Sequence, residues 1–346
     1  MESRISPLAN GRGTGSGGLR NKVLESSRLC LVRELLSTQV GQAAAERIVL
    51  GKRKSSLNQY EIAWRSLQSW LKESGEEDIN IKSMLKFFMY LRDEKGLNPS
   101  TIMNYRGYLT LPLKLLANLD LQDWKFKELD RAFFIENPPN RPSLPLWSVE
   151  KVLDLLKSPD YHNSSASVLN LLKKTLFLVA LASGNRCSEI AAMWLPFHRE
   201  SDNSLKIPVK PGFLFKNQRS GRSPPDILIL PLLGNDKSLC PVSALQDYWV
   251  RRGRPRGPLF VNSRNDNPLR APSIAHLLCS IIEESNPGSV PRAHDLRKAA
   301  TSIAWSRGLR MENITQRAFW KTSNVFIERY LCPMRASGVA LGTRPE

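Results

Sequence analysis

The chain has 346 residues, 41% of them hydrophobic and 24% charged, which is length enough for two domains at roughly 150 residues each and too apolar for a wholly disordered polymer. Its 50 lysines and arginines exceed its 32 aspartates and glutamates by +18, an excess that favours a polyanionic partner, nucleic acid ahead of membrane. No apolar run approaches the ~18 residues that span a bilayer, the first residues lack the apolar core of a secretory signal, and the five dispersed cysteines and four histidines show neither a C-x-x-C pair nor metal-ligand spacing.

Residues 1–24 are rich in Gly, Ser and Arg without apolar period, which predicts a disordered tail ahead of a helical domain over 25–138. Within that domain Tyr60, Trp64, Leu67 and Leu71 recur at helical spacing, as do Met84, Phe87, Phe88 and Leu91, and Pro99-Ser100-Thr101 marks the start of the helix carrying Ile102 and Tyr105. The four prolines between 136 and 145 cannot continue a helix and predict an interdomain linker at 139–145. The second domain is expected over 146–335. Ser148 caps a helix to about Leu156, and an apolar helix runs from Leu169 to Ser183. Strands over 205–209 and 227–230 flank the basic, glycine-containing stretch 216–223, which predicts a hairpin with a basic tip. Helices follow over 241–251, 273–285, 294–307 and 324–331, with a strand over 258–261 and a tail at 336–346. The fold class is mainly α with a small β-sheet, α+β overall, and no internal repeat is evident.

Charge is concentrated at the two ends. Residues 1–60 carry +6, 61–140 carry −1, 141–200 carry +2 and 201–346 carry +11. Two basic regions around a neutral helical one suit a grip on a duplex, whereas a charge serving solubility alone could lie anywhere. Lys52, Arg53 and Lys54 at the entrance to the helical domain, Arg106 within it, and Arg219 and Arg222 on the hairpin are candidate contacts to a phosphate backbone. Arg251-Arg-Gly-Arg-Pro-Arg256 contains the Gly-Arg-Pro core of a minor-groove hook and also resembles a nuclear localisation signal, but it falls between a helix and a strand and reads as a solvated loop that contacts phosphate at most.

Four segments of the second domain hold side chains suited to a phosphodiester. Arg186 follows the buried helix in Ala-Ser-Gly-Asn-Arg-Cys-Ser-Glu-Ile, with Glu189 three positions on. Lys216 sits on the basic hairpin, and Lys210 competes with it for the same role. His294 and Arg297, three apart on one helix, share a face and direct an imidazole and a guanidinium to one point. Trp320 and Tyr330 bracket a helix start. Two guanidiniums can grip the non-bridging oxygens of a trigonal-bipyramidal phosphorus while a tyrosine hydroxyl attacks it. An imidazole and an ammonium can move the protons. Each element alone has an ordinary structural reading: a surface ion pair, a chance H-x-x-R, a pair of core aromatics. Their order and separation together are what chance does not readily supply.

The series Arg186, Lys216, His294-x-x-Arg297, Trp320, Tyr330 resembles the tyrosine recombinase family, which includes the phage integrases, over about residues 55–335. The Cys240-Pro-Val-Ser-Ala-Leu245 run, and Trp rather than His before the tyrosine, are closer to the recombinases of DIRS, Ngaro and Crypton mobile elements. Trp320 and Tyr330 are ten positions apart, one more than in many bacterial members, a difference that the start of the helix can absorb. The resemblance implies a helical core-binding domain and a catalytic domain forming a C-shaped clamp. It also implies Tyr330 as nucleophile, Arg186, Arg297, His294, Lys216 and Trp320 as catalytic residues, Glu189 in support, and neither metal nor cofactor. Double-stranded DNA is the expected partner, with a monomer free in solution and a homotetramer on paired sites. The expected location is intracellular, nuclear if the source is eukaryotic. Two rival functions remain: a type IB topoisomerase, and a domesticated DNA-binding protein that has lost catalysis.

Overall fold

The structure is a computed structural model that describes residues 16–138, 147–216, 218, 223–232, 237–320 and 322–331. The chain divides into two compact units, Met1–Asn140 and Arg141–Glu346. The expected linker at 139–145 and tail at 336–346 lie outside the described residues.

The first unit is all helical: α1 (Ser16–Glu25), α2 (Arg28–Val40), α3 (Gln42–Leu50), α4 (Lys54–Ser74), α5 (Ile81–Asp93), α6 (Pro99–Ala117) and α7 (Trp124–Glu136). Residues 16–24, expected to belong to a disordered tail, instead form most of α1. Val23 is fully buried in the core of the bundle, Arg20 Nη2 donates to the Leu71 carbonyl at 3.0 Å and Gln68 Nε2 donates to the Val23 carbonyl at 2.7 Å. These contacts are long-range, so the local composition of 16–24 does not display them. The apolar periods of α4 to α6 converge on one core of Trp64, Leu67, Leu71, Phe87, Phe88, Ile102 and Leu109. Asn80 caps α5 by accepting the Ser83 N–H at 3.1 Å while its own N–H donates to Ser83 Oγ at 2.9 Å.

The second unit is built around α9 (Val168–Ser183), which is buried nearly all round. It packs against β4 (Ile227–Ile229), α11 (Pro241–Arg251), α12 (Ala271–Ser285) and α13 (Ala293–Ser306). Ahead of it, Ser148 Oγ accepts the Lys151 N–H at 3.2 Å to cap α8 (Val149–Leu155). β2 (His198–Arg199), β3 (Leu205–Ile207) and β4 form an antiparallel sheet in the order β2-β3-β4, with Leu205 opposite Ile229 and Ile207 opposite Ile227. β1 (Trp194–Leu195) pairs with β5 (Gly257–Pro258). The expected hairpin is therefore present with shorter strands and a long connection over 208–226. Three further helices complete the unit: α10 (Cys187–Ile190), α14 (Met311–Arg317) and α15 (Ser323–Arg329). Among the described residues no helix is long and apolar enough to cross a membrane.

Candidate active site

The site begins where α9 ends. Gly184 takes the left-handed conformation that stops the helix (φ 62°), and the chain turns through Asn185 into Arg186, the N-cap of α10. One turn on, Glu189 is 1% exposed, and this one carboxylate holds two guanidiniums. Oε1 pairs with Arg186 Nη1 at 2.6 Å, and Oε2 lies 3.6 Å from Arg297 Nη1 and accepts the Arg186 backbone N–H at 2.8 Å. Two positive charges against one negative leave a net positive site, opposite in sign to a phosphodiester and so complementary to it.

Arg297 is 2% exposed on α13. Its Nη2 donates to the Ala318 carbonyl at 2.6 Å, and its guanidinium centre lies 4.7 Å from the Trp320 ring and 5.4 Å from that of Tyr330. Burial, and next the charge of Arg186, lower its pKa to about 10, with Glu189 acting in the opposite direction. Arg297 thus remains charged at neutral pH. Its Nε and the Trp320 Nε1 are buried without hydrogen-bond partners, while its Nη1 faces the Glu189 carboxylate. An unmet buried donor costs about 1–3 kcal/mol and more when charged, so these N–H groups favour an acceptor oxygen brought by a ligand.

Tyr330 follows α15 and is 7% exposed. Its ring centroid lies 4.5 Å from Trp320 and 5.2 Å from His294, and Ser302 Oγ donates to its carbonyl at 3.0 Å. Burial first, then the charges of Arg297, Lys298 and Arg186, push His294 below the usual imidazole range. It is therefore neutral at physiological pH and able to take a proton. Arg186, Glu189, His294, Arg297, Trp320 and Tyr330 accordingly converge, from segments more than 140 residues apart, around one phenol.

Solved structures share the fold over about nine-tenths of the chain. The lambda integrase dimer bound to a COC′ core site covers 91% of this chain and 79% of its own at TM-score 0.56 and 14% identity. XerH site-specific recombinase bound to palindromic difH substrate, in a post-cleavage complex, covers 90% of each chain at 0.56 and 15%. The Tn1549 transposon integrase in complex with circular intermediate DNA covers 90% and 97% at 0.54 and 12%. The fold is that of the tyrosine recombinases. In sequence, no family model and no curated protein matches the chain.

Within this recombinase fold the other expected residues separate into three groups. Lys216 is exposed directly after the buried Phe215, in a turn where the Phe215 N–H donates to Gln218 Oε1 at 3.1 Å. Lys210 is exposed six positions earlier, its backbone N–H bonded to the Ala192 carbonyl at 2.8 Å. Lys52, Arg53 and Lys54 are exposed at the N-terminus of α4, where the helix dipole adds to their positive potential. Arg219 and Arg222 lie outside the described residues.

Arg106 departs from the expectation of a DNA contact: it is 9% exposed, pairs with Asp130 Oδ2 at 2.6 Å and donates Nη1 to the Leu121 carbonyl at 2.9 Å, so it braces α6 against α7. In the basic loop Arg251 donates to the carbonyls of Asn163, Ser164 and Ala166, and Arg252 to those of Pro258 and Leu259, which makes both structural ties, while Arg254 and Arg256 are exposed. Sequence reasoning missed Ser302 and the Ala318 carbonyl. Ser302 lies on the same helix as His294 and Arg297, with a signal no stronger than a small polar residue in an apolar run. A carbonyl acceptor leaves no trace in sequence. Among the described residues no group of His, Cys, Asp and Glu could hold a metal ion.

Proposed function

We propose that the chain is a site-specific DNA recombinase that cleaves and rejoins strands through a 3′-phosphotyrosine. The observation that carries this reading is the single buried Glu189 holding Arg186 and Arg297 beside the Tyr330 ring, in a fold whose solved representatives include DNA-bound recombinases. The Tyr330 hydroxyl attacks the scissile phosphorus. The O–P bond to tyrosine forms, the P–O5′ bond breaks, His294 accepts the phenolic proton and Lys216 protonates the departing 5′ oxygen. Arg186 and Arg297 stabilise the charge that grows on the non-bridging oxygens, as preorganised donors in a water-poor site. Phosphoester energy is retained in the adduct, so a partner strand's 5′-hydroxyl can reverse the chemistry on a new junction without ATP.

The partner is double-stranded DNA, with strand exchange carried out by four protomers on paired sites and the free protein monomeric. Trp320 before the nucleophile and the Cys240–Leu245 run support a mobile element of the DIRS, Ngaro or Crypton kind as the source of the activity, which in a eukaryotic host would act in the nucleus. The test is incubation with a duplex nicked just beyond the scissile phosphate, in EDTA and without ATP. A covalent protein–DNA adduct is expected there, and strict Mg²⁺ dependence of the chemical step would overturn the mechanism.

A further inference from the structure

Phe319 is a bulky residue in the left-handed region of the backbone, at φ 51°, a conformation that is unfavourable for a side-chain-bearing residue. Its position explains the geometry. The Phe319 N–H donates to the Gln316 carbonyl at 3.1 Å and the Trp320 N–H to the Thr315 carbonyl at 3.0 Å, the paired bonds that end a helix through a left-handed residue, here α14. Glycine is the usual residue there because it adopts φ > 0 without penalty. The gain from phenylalanine must lie in its ring. That ring packs against Phe215 in a tilted pair at a centroid distance of 4.4 Å, and Phe215, 2% exposed, directly precedes Lys216. The ring is not required to fill the core completely, because Phe319 also lines a cavity of about 430 Å³ with Asn185, Asp226 and Arg317. On its two flanks, the Ala318 carbonyl receives Arg297 and Trp320 packs against Tyr330.

We infer that Phe319 is a positioning residue that ties the Lys216-bearing turn to the platform of Arg297, Trp320 and Tyr330, so that the proton donor for the leaving group is held in register with the nucleophile. The inference rests on the recombinase reading above. Phe319→Gly separates ring from backbone, because glycine keeps the left-handed turn, and with it the Ala318 contact to Arg297, while removing the ring contact. The variant is expected to bind duplex as wild type does and to form adduct on an ordinary phosphodiester on the order of 10-fold more slowly, part of the 10²–10⁴-fold that a positioned general acid supplies. On a 5′-bridging phosphorothioate, whose thiolate leaves unprotonated, its rate should return to that of wild type, as should that of Lys216→Ala.

Phe215→Leu removes the partner ring without touching residue 319, and the same pattern is expected should Phe319→Gly fail to fold. Unchanged rates on the phosphodiester, or an equal loss on both substrates, would overturn the inference while leaving the recombinase reading intact. Wild-type protein run alongside distinguishes the two: if it forms no adduct on either substrate, the reading of function falls and the inference falls with it.

Discussion

Glu189→Gln is the perturbation that reaches deepest into the site. The carboxylate is 1% exposed, 2.6 Å from Arg186 and 3.6 Å from Arg297, and glutamine preserves its shape while removing its charge. At an effective dielectric constant of about 20, each pair of unit charges ~4 Å apart contributes about 4 kcal/mol. The glutamate's own desolvation offsets part of the two pairs, and breaking a buried ion pair costs about 3–5 kcal/mol net. For a unit of this size that corresponds to a fall in Tm of about 6–20 °C. The pH profile should change as well. Burial, and next the charge of Arg186, lower the pKa of Arg297 to about 10, and Glu189 acts in the opposite direction. Loss of Glu189 lowers it further, so cleavage by the variant is expected to fail at a lower pH than cleavage by wild type. Thermal unfolding and single-turnover adduct formation between pH 7 and about 10.5 measure both. A variant with wild-type Tm and an unmoved alkaline limb would refute the claim that one carboxylate supports both guanidiniums.

Arg186→Ala should reduce adduct formation on the order of 10²-fold or more, by loss of one preorganised donor, and a near-normal single-turnover rate would assign its guanidinium to structure. The rate should also fall below neutrality as His294 gains a proton, at a pH beneath the ordinary imidazole value because burial and three neighbouring cations depress it; a His294→Gln variant with the same acid limb would show that another group sets it. Lys216→Ala should be rescued by the 5′-bridging phosphorothioate, and selective rescue of Lys210→Ala would transfer the leaving-group role to Lys210. Arg106→Ala should lower the Tm of the helical unit by several degrees with little effect on the salt slope of DNA binding, whereas replacing Lys52, Arg53 and Lys54 together should reduce that slope by up to about 2.7; the opposite pattern would return Arg106 to the DNA.

What the sequence displayed and what it concealed have physical causes. His294 and Arg297 meet because residues three apart on a helix share a face, and Arg186 and Glu189 meet because a helix N-terminus closes over the same spacing. Both are local rules and both are legible. The buried period of α9 and the cap at Ser148 are local too. Arg106 and Arg251 look like any solvated arginine until Asp130 and the carbonyls near Ser164 are brought to them by the tertiary fold. The same holds for α1, whose low apolar content conceals a fully buried Val23. Phe319 is the least legible of all. Nothing in a phenylalanine's identity announces φ > 0, and its helix α14, one turn past Gly308, is too short for a periodic signal.

The central claim is that Tyr330 becomes covalently bound to a 3′ phosphate, and the most direct test is to trap the adduct on a nicked duplex, digest it and identify the modified peptide by mass spectrometry. The account predicts a nucleotide on the peptide containing Tyr330, and no adduct from Tyr330→Phe, whose duplex affinity stays near that of wild type because one hydroxyl contributes little to a charge-dominated interface. An adduct on any other residue, or one that persists in Tyr330→Phe, would contradict it.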